Sequence, residues 1–352
     1  MKKTANARTH TNPPKRAQKP TRVATPAPAV QETSANREVQ VVFAMIAALV
    51  LPATVALWTV KHPGRLVIDN PNPTPYGYTW SLVVFLLPVL LLGWWFRRVP
   101  KTTIERRAFA WTVVLFTGAG FALDIWLGNT FFVFPNRGAT SGLYLPGYDW
   151  VEGWRVNLPI EEFFFYYLGA LFMVLVYIWG DVYWFGRYND DDYSTAAGTL
   201  PKLVHPHAIS LLIGVVLVVG GILFKKFGPH PDHAGFPAYW TLLVLVAIVP
   251  SSLFFPSVKP VINWRAFSFT LFSLLLISLI WEATLGVPYQ WWGYDRRWML
   301  GIRLDAWSNL PLEAVVMWFA AGWGIVIVFE VLRIHFAMQR PISRSLFGKK
   351  TP

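Results

Sequence analysis

The sequence predicts an all-α, polytopic membrane protein of about eight transmembrane helices, arranged as two parallel four-helix repeats. Three observations predict it. First, 54% of the residues are hydrophobic, only 14% are charged and mean hydropathy is +0.40. Second, the apolar residues collect in blocks close to the ~20 residues that a membrane-spanning helix needs. Third, a short acid-bearing string occurs once in each half, as Asn157-Leu158-Pro159-Ile160-Glu161-Glu162 and as Asn309-Leu310-Pro311-Leu312-Glu313-Ala314, each opening a long apolar run.

Taken in order, residues 1–38 are rich in Thr, Ala, Pro and Lys/Arg and read as a disordered basic tail on the cytoplasmic side. The first apolar block, 39–60, starts too late and runs too long for an ordinary cleaved signal peptide, so it reads as a retained helix. Blocks at 79–96, 108–127 and 159–184 complete a first repeat over 39–184. A linker at 185–206 holds the acidic run Asn189-Asp190-Asp191-Asp192. Such a run can bind a Mg²⁺-diphosphate; standing alone outside the apolar blocks, it reads as a solvated linker. Blocks at 207–224, 238–255, 266–285 and 310–334 form a second repeat over 207–336, and 337–352 is a basic C-terminal tail. With an even number of helices per half, both halves share one orientation.

Net charge is +12, but the Lys and Arg residues are unevenly placed. They concentrate in the two tails and the loops after the second, fourth and sixth blocks, with Arg97, Arg98, Lys101, Arg106 and Arg107 the densest group. This is the positive-inside bias, which puts both termini in the cytoplasm, with the cell inner membrane as the expected location. It accounts for the basic charge by topology, with membrane lipids as the surroundings and a solvated tail favoured over one that binds anionic headgroups, and leaves no call for nucleic acid.

The chain has no Cys, and so no disulfide, thiolate metal site or thiol nucleophile. It lacks a glycine-rich dinucleotide fingerprint, a P-loop and a His-Glu-x-x-His string. The seventh block has no Lys for a retinal Schiff base. His205, His207, His230 and His233 read as loop histidines, so no metal or cofactor is expected.

What remains is acid. An acid also closes the preceding apolar run in each half, with Asp124 in Leu123-Asp124-Ile125-Trp126-Leu127-Gly128 matching Glu282 in Trp281-Glu282-Ala283-Thr284-Leu285-Gly286. Carboxyl groups beside hydrophobic spans are costly and mark function more often than chance placement does. Pro159 suits a first helical turn with Asn157 as its cap. Glu161 aligns with Glu313, whereas Glu162 aligns with Ala314. The bland reading is a set of interfacial capping carboxylates; the matched placement of four acids favours function over it. The loops before each Pro-Glu string, Asn129–Val156 and Val287–Ser308, are crowded with aromatic residues. Most suit an interfacial belt, while a minority could face a cation across a cavity. An acid among aromatic rings, with no redox group, suits protonation of an alkene.

At this point the residues resemble the small membrane lycopene cyclase domain family in its fused, tandem form. The resemblance rests on Pro159-Ile160-Glu161-Glu162-Phe163-Phe164-Phe165-Tyr166, on Leu300-Gly301-Ile302-Arg303 leading into Leu310-Pro311-Leu312-Glu313, and on Trp291-Trp292. It covers roughly residues 40–335. It implies carotenoid biosynthesis: a redox-neutral, acid/base cyclisation of lycopene's linear end groups to β-rings, by an isomerase-type enzyme without cofactor. Motif match puts the acid/base role on Glu161, Glu162 and Glu313, to which helix-end placement adds Asp124 and Glu282. Phe164, Phe165, Trp291, Trp292 and Trp154 are the expected substrate contacts, with a lipophilic carotenoid as substrate and other carotenoid enzymes as possible neighbours. The chain departs from the family pattern at Ala314, where a second Glu is usual, and in its longer first loop. A carotenoid hydratase or a C50 carotenoid cyclase would share the opening protonation. A non-catalytic membrane assembly or lipid-binding protein, and more distantly a prenyltransferase, stand as the other classes.

The charge pattern makes a direct prediction. Topology reporters fused after Arg107 and after Trp150 should give opposite signals in the intact membrane, and equal signals would overturn the assigned orientation.

Overall fold

A computed structural model describes residues 74–98, 103–184, 193–230 and 232–348. The first apolar block at 39–60, the basic tail before it and the Asn189–Asp192 run lie outside the described residues. Within them, seven helices are long and apolar enough to cross a membrane: α1 (Gly77–Arg98), α2 (Glu105–Phe131), α3 (Ile160–Val182), α4 (Ala208–Phe227), α5 (Ala238–Val258), α6 (Trp264–Gly286) and α7 (Leu312–Met338). The chain is therefore predominantly helical and has the make-up of an integral membrane protein. Each of these helices falls on one of the predicted apolar blocks.

Burial separates the helices into an inner and an outer set. More than half of α3, α6 and α7 is buried, against roughly a quarter of α1, α2, α4 and α5. Helix α7 packs on α2, α3, α5 and α6, while α3 packs on α1, α2, α6 and α7; α4 lies outermost against α5. The two helices that open with Pro-Glu strings thus form the centre of the bundle. The outer faces of α1 and α4 carry Leu87, Leu90, Leu91, Ile209, Leu212 and Val216 in exposed positions, as helices in contact with lipid do.

The loops between the helices carry a few short strands. Strands β2 (Tyr144–Asp149) and β3 (Gly153–Pro159) form an antiparallel hairpin before α3. Two-residue pairs join β1 (Phe132–Val133) to β4 (Gly293–Tyr294), and β5 (Arg303–Leu304) to β6 (Leu310–Pro311). These segments include Val133, Tyr144, Tyr148, Trp154, Val156 and Tyr294, residue types that favour extended backbone, and they hold their own hydrogen bonds where the chain leaves the helices.

The hairpins also correct the expected helix start. Pro159 is the last residue of β3 and α3 begins at Ile160, with no side-chain cap. Asn157 lies within the strand and accepts a hydrogen bond from the Arg137 guanidinium at 3.0 Å. The first free helical N–H is met instead by the hairpin: Ile160 N–H donates to the Leu143 carbonyl at 2.9 Å, just as Leu312 N–H donates to Ile302 at 3.0 Å. A backbone carbonyl does here what a capping side chain does elsewhere.

At the opposite end of the bundle a buried ion cluster ties four elements together. Arg333 of α7 contacts Glu330 at 2.9 Å, Glu105 of α2 at 3.3 Å and Asp181 of α3 at 3.6 Å. Asn263, just before α6, donates to Asp181 at 3.0 Å, and Tyr177 donates to Glu330 at 2.8 Å. The Arg333 guanidinium also stacks over Tyr193, 4.6 Å from the ring centre, so the described part of the linker docks on the bundle. Leu203 and Val204 then pair their N–H groups with Ser345 and Leu346 of the C-terminal segment.

Removing one member of a buried ion group leaves its partners' charges uncompensated. Arg333→Met should therefore cost about 3 kcal/mol or more, read as a lower unfolding temperature of the detergent-solubilised protein; an unchanged temperature would show that the cluster does not hold the bundle.

Candidate functional site

Near the hairpin end of the bundle, two adjacent cavities with part of their walls in common lie among α1, α2, α3, α5, α6 and α7. The larger has a volume of about 160 Å³ and an almost wholly apolar wall of residues such as Phe116, Leu123, Gly169, Met173, Leu243 and Ile325, with Asp124 as its one carboxyl group. The smaller, of about 50 Å³, has Tyr78, Glu162, Trp281, Glu282, Trp292 and Tyr294 in its wall. Phe132, Phe165, Tyr166, Tyr239 and Met317 line both and form the junction between them.

Local backbone places the acids. Asp124 begins a π-helical stretch, Asp124–Gly128, within α2, and Glu282 sits in another, Leu279–Gly286, at the end of α6. A π turn rotates the residues that follow out of the regular helical register and recurs at functional sites. The Leu-Gly pair that closes each stretch has a steric reason. A side chain at Gly128 would run into the Asp124 carboxyl and Leu158, and one at Gly286 into the Trp292 ring.

The carboxyl groups differ in what they accept. Glu282 accepts from Tyr294 Oη at 2.5 Å and from Trp318 Nε1 at 2.6 Å. Glu162 accepts from Tyr78 Oη at 2.5 Å. Both oxygens of Asp124 are buried and accept no hydrogen bond. Asp124 and Glu162 lie close enough to interact electrostatically, as do Glu162 and Glu282. Desolvation and the Glu282 carboxylate hold the Tyr294 phenol well above its usual range, so it remains a protonated donor.

Glu161 and Glu313 occupy a different place. Neither lines a cavity wall. One oxygen of Glu161 accepts from Ser141 N–H at 2.6 Å and from Thr79 Oγ1 at 2.5 Å. Glu313 accepts from Leu300 N–H in the corresponding loop. In both halves the donor's loop has a short 3₁₀ turn, Arg137–Ala139 or Arg296–Trp298, followed by a glycine with positive φ, Gly142 at 83° or Gly301 at 105°. The two matched glutamates thus tie equivalent loops to the starts of the two central helices.

The expected aromatic contacts divide similarly. Phe165 lines both cavities and Trp292 lines the smaller one. Trp291 is buried behind Trp292, with its indole N–H on Thr74 at 2.8 Å. Phe164 and Trp154 are exposed, the latter beside Trp126 and Tyr148 on the hairpin surface. Sequence reasoning missed Tyr78, Tyr166, Tyr239, Trp281 and Trp318. One signal was available: Tyr78 and Tyr239 each open the second apolar run of their half. His230 and His233 stack on each other at 4.7 Å, and no group of three or more metal-ligating side chains occurs among the described residues.

Fold and site together define an integral membrane protein with carboxyl groups buried around a largely apolar cavity. Comparison with protein-family models, with curated proteins and with solved structures finds no match for this chain.

The loop ties predict a chemical contrast. Glu313→Leu should raise hydrogen exchange at the Leu300 amide at least tenfold, whereas Glu313→Gln, which retains an acceptor, should leave it near wild type. Equal exchange in the two variants would remove the tethering role.

Proposed function

We propose that this chain is a membrane enzyme that cyclises an end group of a long isoprenoid polyene, with lycopene as the model substrate. The observation that carries this reading is the trio Asp124, Glu162 and Glu282 around the aromatic junction of two cavities. The resemblance to the lycopene cyclase domain points the same way. Asp124, which accepts no hydrogen bond, delivers a proton to the terminal double bond and leaves a tertiary cation. The next double bond attacks that cation to close a six-membered ring, and loss of a ring proton restores an alkene. No atom or electron is gained or lost overall.

Glu282 takes the ring proton, because Tyr294 and Trp318 already direct two donors at its oxygens to support the negative charge. Glu162 stands in electrostatic reach of the other two and returns the proton to Asp124. The faces of Phe165, Trp281 and Trp292 stabilise the intermediate cation. Glu161 and Glu313 act as positioning groups for the loops rather than as proton carriers.

The same reading takes the chain as a tandem duplication of a four-helix unit, with 39–60 as the eighth helix, both termini cytoplasmic and the acids near the opposite face. Its support is the matched packing. Helix α1 lies on α3 as α5 lies on α7, α2 on α3 as α6 on α7, and α2 crosses to α7 as α6 crosses to α3. Central α3 and α7 then flank the repeat axis.

Expression in a lycopene-accumulating bacterium should yield monocyclic or bicyclic carotene without added nicotinamide cofactor. Asp124→Asn, Glu162→Gln and Glu282→Gln should each lower conversion by about 100-fold or more at wild-type membrane abundance, while Glu161→Gln and Glu313→Gln should retain most of it. Lycopene left unchanged by the abundant wild-type chain, or full activity in the Asp124→Asn/Glu282→Gln double variant, would overturn the reading.

A further inference from the structure

The larger cavity reaches the outer surface at Ala119, and the matching position across the bundle is filled. Ala119 of α2 lines the cavity and is also exposed on the outer surface, and Leu123 and Leu127 beside it are half-buried. The facing wall comes from α5, where Leu242 and Val246 are likewise half-buried. At the hairpin end the two helices are stapled by Phe131 against Tyr239, with ring centres 5.1 Å apart. Further along, the Phe116 ring and the Val246 carbonyl converge on Gly324 of α7. Between these two crossings Ala119, Leu123 and Leu127 of α2 and Leu242 and Val246 of α5 form an apolar rim that reaches the outer surface of the bundle.

The matching position in the other half would lie between α6 and α1. There Phe85 stands where α5 has Val246, Trp281 where α2 has Leu123, and Trp318 where α3 has Tyr166. These larger side chains fill the space. Phe85 stacks on Trp318 at 5.7 Å and meets Trp281 edge-on at 5.1 Å, and Phe165 closes the cluster at 5.0 Å from Trp281. Phe85, Trp281 and Trp318 are 0%, 3% and 0% exposed. The two halves therefore present one open cavity and one plugged one.

We infer that an isoprenoid chain reaches the acids sideways from the bilayer, through the gap between α2 and α5, and that Phe85, Trp281 and Trp318 restrict the protein to one end group at a time. The occupant follows from the walls. A ligand with a charged or strongly polar head would have to cross an apolar rim and would find no cation along it, whereas a branched hydrocarbon chain matches both the rim and the methyl-sized relief around Gly169 and Ala170. This deepens the cyclase reading but concerns binding and can be judged without turnover.

The test uses the full chain in lipid nanodiscs with a benzophenone-bearing geranylgeranyl photoprobe, and maps adducts by mass spectrometry. Adducts should fall on cavity-facing residues of α2 and α5, such as Leu123 and Val246, and be competed by lycopene. Ala119→Trp should reduce them at least tenfold, whereas Ile277→Trp, at the matching point of α6, should not. Because Ala119 is already exposed, its replacement disturbs no core packing; a milder Ala119→Leu should give an intermediate reduction. Phe85→Val combined with Trp318→Tyr should create a second set of adducts on α1 and α6. Labelling that is equal on both sides, confined to the outer lipid face, or unchanged by both Ala119 variants overturns the inference. Correct labelling in a chain that leaves lycopene unchanged would uphold the binding inference while removing the cyclase reading.

Discussion

The constraint on which this structure turns is the cost of placing carboxyl groups inside an apolar bundle. A bare carboxylate in such surroundings must find donors, shed its charge or be paired with a cation. The chain uses different answers at its two ends. Around Arg333 a guanidinium, an asparagine and a tyrosine gather three acids into one cluster that joins α2, α3 and α7. At the hairpin end no cation enters the cavity walls, and the acids are supported by phenols, indoles and backbone N–H groups. The first arrangement locks helices together; the second leaves carboxyl groups facing open space.

That difference gives each acid a separate character. Glu161 and Glu313 accept backbone hydrogen bonds and fix loop geometry. Glu162 and Glu282 are held by side-chain donors at the edge of the smaller cavity. Asp124 has no donor and faces the larger apolar space. A group left in this way destabilises the fold unless something outside the resting structure engages it, which is why it carries most weight in the functional reading.

Several local features recur in the two halves, and they diverge at the cavities. Pro-Glu helix starts, the tethered loops and the π-helical acid sites occur in both. Ala314 in place of a second glutamate, and Trp318 in place of Tyr166, break the match at the cavity itself. Asp124 faces the larger cavity without a donor, whereas Glu282 borders the smaller one and accepts from Tyr294 and Trp318.

Membrane character and the positions of the seven described helices were legible in the sequence, because each depends on local composition. A run of apolar residues spans a bilayer whatever it packs against, and a carboxyl group beside such a run is conspicuous by its cost. Sorting the acids was not legible. Glu161 and Glu162 are neighbours in the chain, yet their helical positions differ by about 100°, and that rotation puts one on a loop and the other on a cavity. The sequence also suggested Asn157 as a helix cap, because cap propensity is local; the hairpin that displaced it needs a partner strand. Tyr78, Trp318 and the Phe85 plug acquire meaning only when α1, α3, α6 and α7 meet. Local chemistry determined which residues were costly, and tertiary packing decided which of those costs were compensated and which was left facing the cavity.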